Sequence, residues 1–262
     1  MFELFPLVAL AAVVTSLPVF LGLAAFSLQT ELLRRVLPSL VALSVGALLG
    51  SAFLGLIPET IELSGDATIS AYGVLVGMLV FFLLEKTLRW HHHHHAREEE
   101  CIDHEPHGID TPHPVAPLVL VADAGHNLLD GIAIAAAFVV DPVLGWTVTL
   151  AIFVHEVPQE VSDFALLLHA GWSRARALAA NAISALFAVL GGAIGLLLVD
   201  TIDAITPLLL AATAGGFIYI AAVDLTPELH RTVRTRAAIV QLCMIIVGVS
   251  LVALTGSLTH GH

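Results

Sequence analysis

Eight polar side chains interrupt two long apolar stretches between residues 124 and 171, and their residue types are those that bind transition metals. They are His126, Asn127, Asp130, His155, Glu156, Gln159, Glu160 and Asp163. One ionisable side chain at bilayer depth costs about 2.5–3.5 kcal/mol even on the membrane-insertion scale, so such a cluster is expected to be a functional site. Mixed imidazole and carboxylate ligands suit Zn, Fe, Mn or Ni, whereas a calcium site would use oxygen alone.

Helical spacing places the polar residues of the first stretch on one face. His126 and Asp130 are four residues apart and share a helix face, with Asn127 beside them. Asp123 precedes His126 by about one turn, and it is a candidate for a second layer around the metal or for the pathway to it. The first stretch therefore offers one ligand face.

The second stretch offers two adjacent stripes. His155 and Gln159 form one pair with a spacing of four residues, and Glu156 and Glu160 form the other. Asp163 continues the second stripe and is a further candidate for the second layer or the pathway. A single polar residue could equally form a hydrogen bond between helices, but four carboxyl groups and two histidines are too many for that role.

The ligand faces of the two stretches are expected to meet. Only residues 141–145 join the stretches, so their helices must be antiparallel neighbours. Pro158 lies inside the second helix, where it lacks an N–H and frees the carbonyl of Val154. We expect a kink there, at the level where the ligands gather.

The rest of the chain is too apolar to be a soluble protein. Of its 262 residues 58% are hydrophobic and only 12% are charged, and the mean hydropathy is +0.93. We expect an integral membrane protein in contact with the lipid bilayer. There is no basic patch, so no nucleic-acid partner is expected. The first apolar run follows Glu3 without a basic leader, which favours a membrane helix over a signal peptide.

Eight apolar runs are long enough to cross about 30 Å of hydrocarbon as helices. They cover approximately residues 4–28, 39–58, 70–90, 115–140, 144–170, 177–199, 205–229 and 237–257. The expected fold class is an all-α integral membrane protein with eight transmembrane helices. These helices are expected to form a single transmembrane domain over residues 1–262.

The basic residues test this count, because cytoplasmic loops are enriched in Lys and Arg. With eight helices, all ten Lys and Arg residues fall on one side of the membrane. They are Arg34, Arg35, Lys86, Arg89, Arg97, Arg174, Arg176, Arg231, Arg234 and Arg236. We therefore expect this side to be cytoplasmic and both termini to be extracytoplasmic, in a prokaryotic cytoplasmic (inner) membrane.

The second and seventh predicted helices share a sequence pattern. Both contain early glycines and end in Pro-Glu, as GALLGSAFLGLIPE and GGFIYIAAVDLTPE. Because these helices run in opposite directions, the pattern is typical of an inverted repeat in which helices 1–3 and 6–8 flank helices 4 and 5. A Pro-Glu pair also recurs by chance in a chain with 12 prolines, so the pattern alone does not decide between the two explanations.

One long polar segment, residues 91–114, is expected to form a His-rich cytoplasmic loop between the third and fourth helices. Its histidines could bind borderline divalent metals weakly, without a fixed coordination. They are His91, His92, His93, His94, His95, His104, His107 and His113. The alternative is a flexible linker whose charge is incidental.

Two other functions fit parts of the sequence. His155 and Glu156 begin an HExxH-like pattern, which in zinc hydrolases supplies two histidine ligands and a glutamate base. Here Gln159 replaces the second histidine and Pro158 disturbs the helical register, so a membrane-embedded zinc hydrolase is the weaker hypothesis. A metal sensor or store that uses the His-rich loop is the other.

The motifs resemble those of the ZIP family (Zrt-, Irt-like proteins) of divalent metal transporters over essentially the whole chain. HNLLDG is similar to the fourth-helix motif HNxxDG, and HEVPQEVSD is similar to the fifth-helix signature HExPHExGD of one ZIP subfamily. FFLLEK before the His-rich segment and FIYIAAVDLTPE also resemble that subfamily.

The resemblance implies a non-enzymatic importer with a 3+2+3 inverted repeat. It would move Zn²⁺, or Fe²⁺, Mn²⁺ or Cd²⁺, toward the cytoplasm without an organic cofactor. It also implies a binuclear centre in which Asp130 bridges two ions. One ion would contact His126, Asp130 and residue 159, and the other Asn127, Asp130, His155 and Glu156.

The chain matches the fifth-helix signature at Glu160 and Asp163 and departs from it at two positions. Gln159 stands where the signature has its second histidine, and Ser162 stands where it has glycine. An amide oxygen is a poorer ligand for Zn²⁺ than imidazole, so the site that includes Gln159 is expected to be weaker or suited to a harder ion. A homodimer is a further expectation.

Overall fold

The computed structural model describes residues 3–20, 30–99, 115–201, 205–230 and 235–257, and no strand occurs among them. In chain order the helices are α1 (Phe5–Thr15), α2 (Thr30–Gly50), α3 (Ile57–Ser64), α4 (Ala67–Glu99), α5 (Val115–Val140), α6 (Pro142–His169), α7 (Arg174–Ala185), α8 (Phe187–Thr201), α9 (Ile205–Tyr219), α10 (Thr226–His230) and α11 (Thr235–Ser257). The all-helical fold class is thereby confirmed.

Six helical segments are long and apolar enough to cross a membrane, judged by length and composition over the described ranges. They are Val36–Ser64, Ala67–Leu84, Val119–Val140, Arg174–Leu198, Ile205–His230 and Thr235–Thr255. Phe5–Phe20 is a shorter apolar segment. Helix α6 has 28 residues but is outside this set, because the polar residues in its second half lower its mean hydropathy. The chain is thus an integral membrane protein of about six to eight apolar helices.

The first part of the predicted His-rich loop lies on helix α4. Helix α4 continues through residues 91–95 and ends only at Glu99, so the first part of this polar segment is helical. The physical reason is that Ala96, Arg97 and two glutamates are strong helix formers, and adding residues to an existing helix avoids the cost of nucleation. The rest of the predicted loop, residues 100–114, lies outside the described residues.

Helices α2 and α11 cross at a pair of glycines. A Cβ atom at Gly46 would collide with the backbone carbonyl of Ile245, and one at Gly248 would collide with the carbonyl of Leu43. Glycine at both positions lets the two backbones touch, which is how helices pack closely in a membrane.

A second crossing, between α4 and α9, has the same construction. Gly77 approaches the carbonyl of Ala212, and Gly215 approaches the carbonyl of Val74. Each residue of the first crossing has a counterpart in the second crossing. The difference between the two residue numbers is almost the same for every such pair. The counterparts are Gly46 and Gly215, Leu43 and Ala212, Gly77 and Gly248, and Val74 and Ile245.

Both α2 and α9 continue into a π-helical segment. Ser51–Leu56 links α2 to α3, and Ile220–Leu225 links α9 to α10, with the same offset as the glycines. Each segment ends two residues before the proline of a Pro-Glu pair, at Pro58 and Pro227. A proline ring clashes with the carbonyl one turn earlier, and a wider π turn relieves that clash. The shared Pro-Glu ending therefore corresponds to a shared backbone feature.

Three helix pairs run parallel, because their contacts advance in the same direction along both partners. The contacts are Gly46–Ile245 and Gly50–Val252 for α2 and α11, Gly73–Ala211 and Gly216–Phe81 for α4 and α9, and Gly131–Ala188 and Gly195–Ala135 for α5 and α8. Helices α5 and α6, by contrast, are separated only by Asp141 and pack against each other as an antiparallel pair.

Alanine at either Gly46 or Gly215 is expected to destabilise the protein. The new Cβ would meet a backbone carbonyl in both cases, so the helices must separate, at a cost of at least about 1 kcal/mol. Gly55→Ala is the matched control, since its nearest neighbour would be the Leu144 side chain at 3.5 Å. Thermal unfolding in lipid nanodiscs measures the difference. Equal melting temperatures for Gly46→Ala and Gly55→Ala would contradict the close crossing.

Candidate metal centre

Four side chains from α5 and α6 converge on one point, and we call them the four-residue cluster: His126, Asp130, His155 and Glu156. The two Nε2 atoms lie 3.1 Å apart. Asp130 Oδ2 lies 3.6 Å from the Nε2 of His126 and 3.5 Å from that of His155. Glu156 Oε1 lies 3.6 Å from each of the same two nitrogens. Nitrogen and oxygen ligand atoms therefore surround a common centre.

These distances suit a small tetrahedral cation. Ligand atoms that surround Zn²⁺ at about 2.0–2.1 Å lie about 3.3–3.4 Å from one another. The five distances above fall between 3.1 and 3.6 Å. Asp130 Oδ2 and Glu156 Oε1 are also buried without a hydrogen-bond partner among the described residues. A buried carboxylate oxygen is costly unless it is paired, and a cation at this centre would pair both oxygens.

Local hydrogen bonds explain the orientation of α6 and of its histidine. The Asp141 carboxylate accepts the N–H groups of Val143 and Leu144 at 2.8 and 3.1 Å, which caps α6 directly after α5 ends. The Nδ1 atom of His155 lies 3.1 Å from the carbonyl oxygen of Ala151. Because that carbonyl can only accept, Nδ1 is the donor and Nε2 keeps its lone pair for a metal.

Aromatic rings cover the two histidines. Phe81 of α4 packs edge-on against His126 with ring centroids 5.7 Å apart, and Phe217 of α9 packs against His155 at 6.2 Å. Both rings also line a cavity of about 190 Å³, and most of the cavity's lining is apolar. Asp130 is part of that lining, so one member of the four-residue cluster is reached from the cavity.

A second cluster of buried carboxyl groups lies beside the first and consists of Asp123, Glu156 and Glu160. One oxygen atom from each lies within 4.8 Å of the others. Asn127 Nδ2 donates to Asp123 Oδ1 at 2.9 Å. Asn181 Nδ2, from α7, donates to Glu160 Oε2 at 2.9 Å. Glu156 belongs to both clusters.

The structure groups the predicted ligands differently from the binuclear arrangement that the resemblance implies. His155 meets His126, and Gln159 faces the carboxyl group of Asp123. Antiparallel packing explains this grouping. His155 lies beside His126, so Gln159, one turn later on α6, lies beside Asp123, about one turn earlier on α5. Asn127 contacts Asp123 through its amide nitrogen.

Asp163 and the histidines of the predicted loop are the remaining predicted site residues. Asp163 is partly buried on α6. The histidines at 91–95 lie on α4 at positions whose side chains the structure does not describe, and His104, His107 and His113 lie outside the described residues. Metal contact by these histidines stays a prediction.

Two buried polar residues near the site were not predicted from the sequence. Asn181 is 1% exposed and Ser44 is 0% exposed, each inside an apolar helix. The signal that could have identified Asn181 is the cost of an amide at membrane depth. Ser44 could not have been identified, because its partner lies on another helix.

Ser44 contacts the carbonyl that Pro158 frees. Its Oγ lies 2.8 Å from the carbonyl oxygen of Val154 and 2.9 Å from that of Leu40, and its single proton can be donated to either. The predicted free carbonyl thus finds a donor on α2. Helix α6 runs unbroken through Pro158 from residue 142 to residue 169.

The fold and the site define a helical integral membrane protein with a buried cluster of histidine and carboxylate ligands. The family model described as ZIP zinc transporter matches residues 3–115 and 90–256. The chain belongs to this family.

Several curated relatives are similar over much of the chain. The zinc transporter zipt-7.1 of Caenorhabditis briggsae is 31% identical over 72% of this chain and 61% of its own length. The zinc transporter YKE4 of Saccharomyces cerevisiae is 30% identical over 72% of this chain and 60% of its own. The zinc transporter ZIP13 of Pongo abelii is 30% identical over 83% and 66%. The chain thus spans about three fifths of the length of these relatives, all of which are named as transporters rather than enzymes.

Ser44→Ala is expected to lower the free energy of unfolding by about 1 kcal/mol, the scale of an interhelical hydrogen bond in a membrane protein. The substitution removes the donor from α2 and leaves the Val154 carbonyl without it. Thermal unfolding in nanodiscs measures the loss. Ser64→Ala is the matched control, since Ser64 Oγ donates to the carbonyl of Thr60 near the end of its own helix. A loss for Ser64→Ala as large as that for Ser44→Ala would contradict the assigned role.

Proposed function

We propose that this protein moves divalent transition-metal ions, Zn²⁺ foremost, across the membrane through the four-residue cluster. The observation that carries the proposal is the set of five distances between 3.1 and 3.6 Å that join two imidazole nitrogens and two carboxylate oxygens. Two nitrogen and two oxygen ligands suit Zn²⁺ and related borderline ions better than Ca²⁺ or Mg²⁺. The relatives' names, which identify zinc transporters, favour the same cargo.

We propose eight transmembrane spans in a 3+2+3 inverted repeat, with both ends of the chain on the extracytoplasmic side. The parallel pairs support this topology, because the second and eighth spans, the third and seventh, and the fourth and sixth must each run in the same direction. The corresponding glycine crossings and π-helical segments support the repeat, since they recur at nearly constant offsets in the two halves.

We propose that ions travel from the cavity at Asp130 toward the basic side of the protein. The cavity lies on the part of α5 that follows His126. The second carboxyl cluster lies on the other side, at Asp123, which precedes His126. The basic residues Arg174 and Arg176, at the start of α7, mark the cytoplasmic side under the positive-inside rule. Transport in this direction is import, driven by the ion gradient.

The kind of membrane and the assembly state are separate expectations. The curated relatives named above come from eukaryotes, so they do not support the expectation of a prokaryotic inner membrane. A homodimer stays a prediction.

Removing two ligands should abolish transport. The double variant His126→Ala/Asp130→Ala loses one nitrogen and one oxygen of the four-residue cluster and leaves His155 and Glu156 to hold an ion alone. We expect uptake of radioactive Zn²⁺ into reconstituted vesicles to fall to the background of protein-free vesicles.

The matched control is Glu62→Gln, which removes an exposed carboxylate on α3 and should leave uptake unchanged. Size-exclusion chromatography before reconstitution verifies that the double variant is folded. Zn²⁺ uptake by that variant at the unaltered rate would overturn the proposed function.

A further inference from the structure

We propose that the ring of Phe81 is a gate between the cavity and the four-residue cluster, and that it must turn away before an ion can pass from one to the other. The proposal rests on the proposed function, in which ions reach the cluster from the cavity, and it adds the side chain that controls this step. Three features carry it: the buried ligands, the two rings in front of them, and the space beside one of these rings.

The ligand atoms of the cluster are closed off from the cavity. Asp130 lines the cavity, but its Oδ2, the atom that faces both histidines, is buried. Among the described residues, neither His126 nor His155 lines the cavity, and they are only 7% and 1% exposed. An ion in the cavity therefore cannot reach the four ligand atoms while every side chain keeps its position.

Two aromatic rings separate the cavity from the histidines. Phe81 and Phe217 both line the cavity, and each packs against one histidine, with ring centroids 5.7 and 6.2 Å apart. Apart from Asp130 and Thr213, the side chains of the described lining are apolar. An apolar cavity holds water poorly, and hydrophobic constrictions stop ions for this reason. The rings and the apolar lining thus form a closed barrier in front of the cluster.

Phe81 is the ring that has room to move. Phe217 is 1% exposed and belongs to the main apolar core, whereas Phe81 is only partly buried. Side chains in a close-packed interior have little space in which to turn. Phe81 instead borders a cavity of about 190 Å³, so its ring can change rotamer without displacing a helix. Such a change uncovers His126 and leaves Phe217 against His155.

Gly216 makes the closed position of the Phe81 ring possible. A Cβ atom at this residue of α9 would collide with the ring, so any larger side chain there forces the ring to leave its position against His126. Gly216 therefore offers a second way to open the gate, from a different helix and without a change to Phe81 or to any ligand.

The test measures how fast Zn²⁺ leaves the full chain held in lipid nanodiscs. The protein is loaded with Zn²⁺ and mixed with excess chelator in a stopped-flow instrument, and equilibrium dialysis gives the Kd for Zn²⁺. Phe81→Ala should release Zn²⁺ at least about fivefold faster and change the Kd less than about twofold, because opening a gate speeds binding and release alike.

The comparison of rate with affinity separates a gate from a structural role. A Kd within the stated range shows that the ligands of the Phe81→Ala variant are still folded around the ion. An unchanged release rate would overturn the proposal. So would a faster release that is fully explained by a weaker Kd, since that result would mean that the ring only supports the shape of the ligand site.

Phe82→Ala is the matched control. Phe82 is the next residue of α4 and undergoes the same truncation, but it is 45% exposed, and its ring centroid lies 5.4 Å from Lys86 Nζ. Its release rate and Kd should both equal those of the unaltered protein. The same acceleration in Phe82→Ala as in Phe81→Ala would contradict a gate at Phe81.

Gly216→Ala tests whether the ring itself is responsible. In the otherwise unaltered protein this substitution displaces the Phe81 ring and should accelerate release several-fold. In the Phe81→Ala background there is no ring to displace, so adding Gly216→Ala should leave the rate as it is. An equal acceleration in both backgrounds would show that Gly216→Ala acts by another route and would overturn the proposal.

The outcomes distinguish the gate from the proposed function. Absence of bound Zn²⁺ in the unaltered protein, together with absence of Zn²⁺ uptake into vesicles, would overturn the proposed function. Normal binding and uptake, together with release from Phe81→Ala at the unaltered rate, would overturn only the gate.

Discussion

The structure depends on keeping buried carboxyl groups and imidazole rings at the centre of a membrane protein. Asp130 Oδ2 and Glu156 Oε1 are enclosed there without hydrogen-bond partners among the described residues, yet they face the Nε2 atoms of His126 and His155. Such an arrangement is costly when empty and is stabilised by a divalent cation. The capped start of α6 and the Ala151 carbonyl that orients His155 hold the ligands in position for that cation.

The glycine crossings connect this centre to the frame around it. Gly216 of α9 leaves room for the ring of Phe81 on α4, where a Cβ atom would collide with the ring. Phe81 in turn packs against His126, and Phe217, the next residue after Gly216, packs against His155. The close approach of α4 and α9 therefore positions the rings of Phe81 and Phe217 against the two histidines. Gly77 and Gly215, which are not candidate ligands themselves, thus affect how the two rings cover the histidines.

Two groups of buried polar side chains adjoin each other and share Glu156. The four-residue cluster joins nitrogen to oxygen, whereas the neighbouring cluster of Asp123 and Glu160 offers oxygen alone, with Asn181 held against it. The departure at Gln159 fits the same pattern, since its side chain faces Asp123 and so belongs with the oxygen groups.

The sequence by itself determined the membrane class, the helical fold and the identity of the polar residues, because hydropathy and i, i+4 spacing are local properties. The pairing of α5 with α6 also followed from the short link at Asp141. The sequence could not determine which ligand meets which, since that depends on how far two antiparallel helices are shifted along each other. Tertiary packing decided that His155, rather than Gln159, meets His126, and it brought in Asn181 and Ser44 from helices that carry no motif. These contacts join residues far apart in the chain, and no local pattern encodes them.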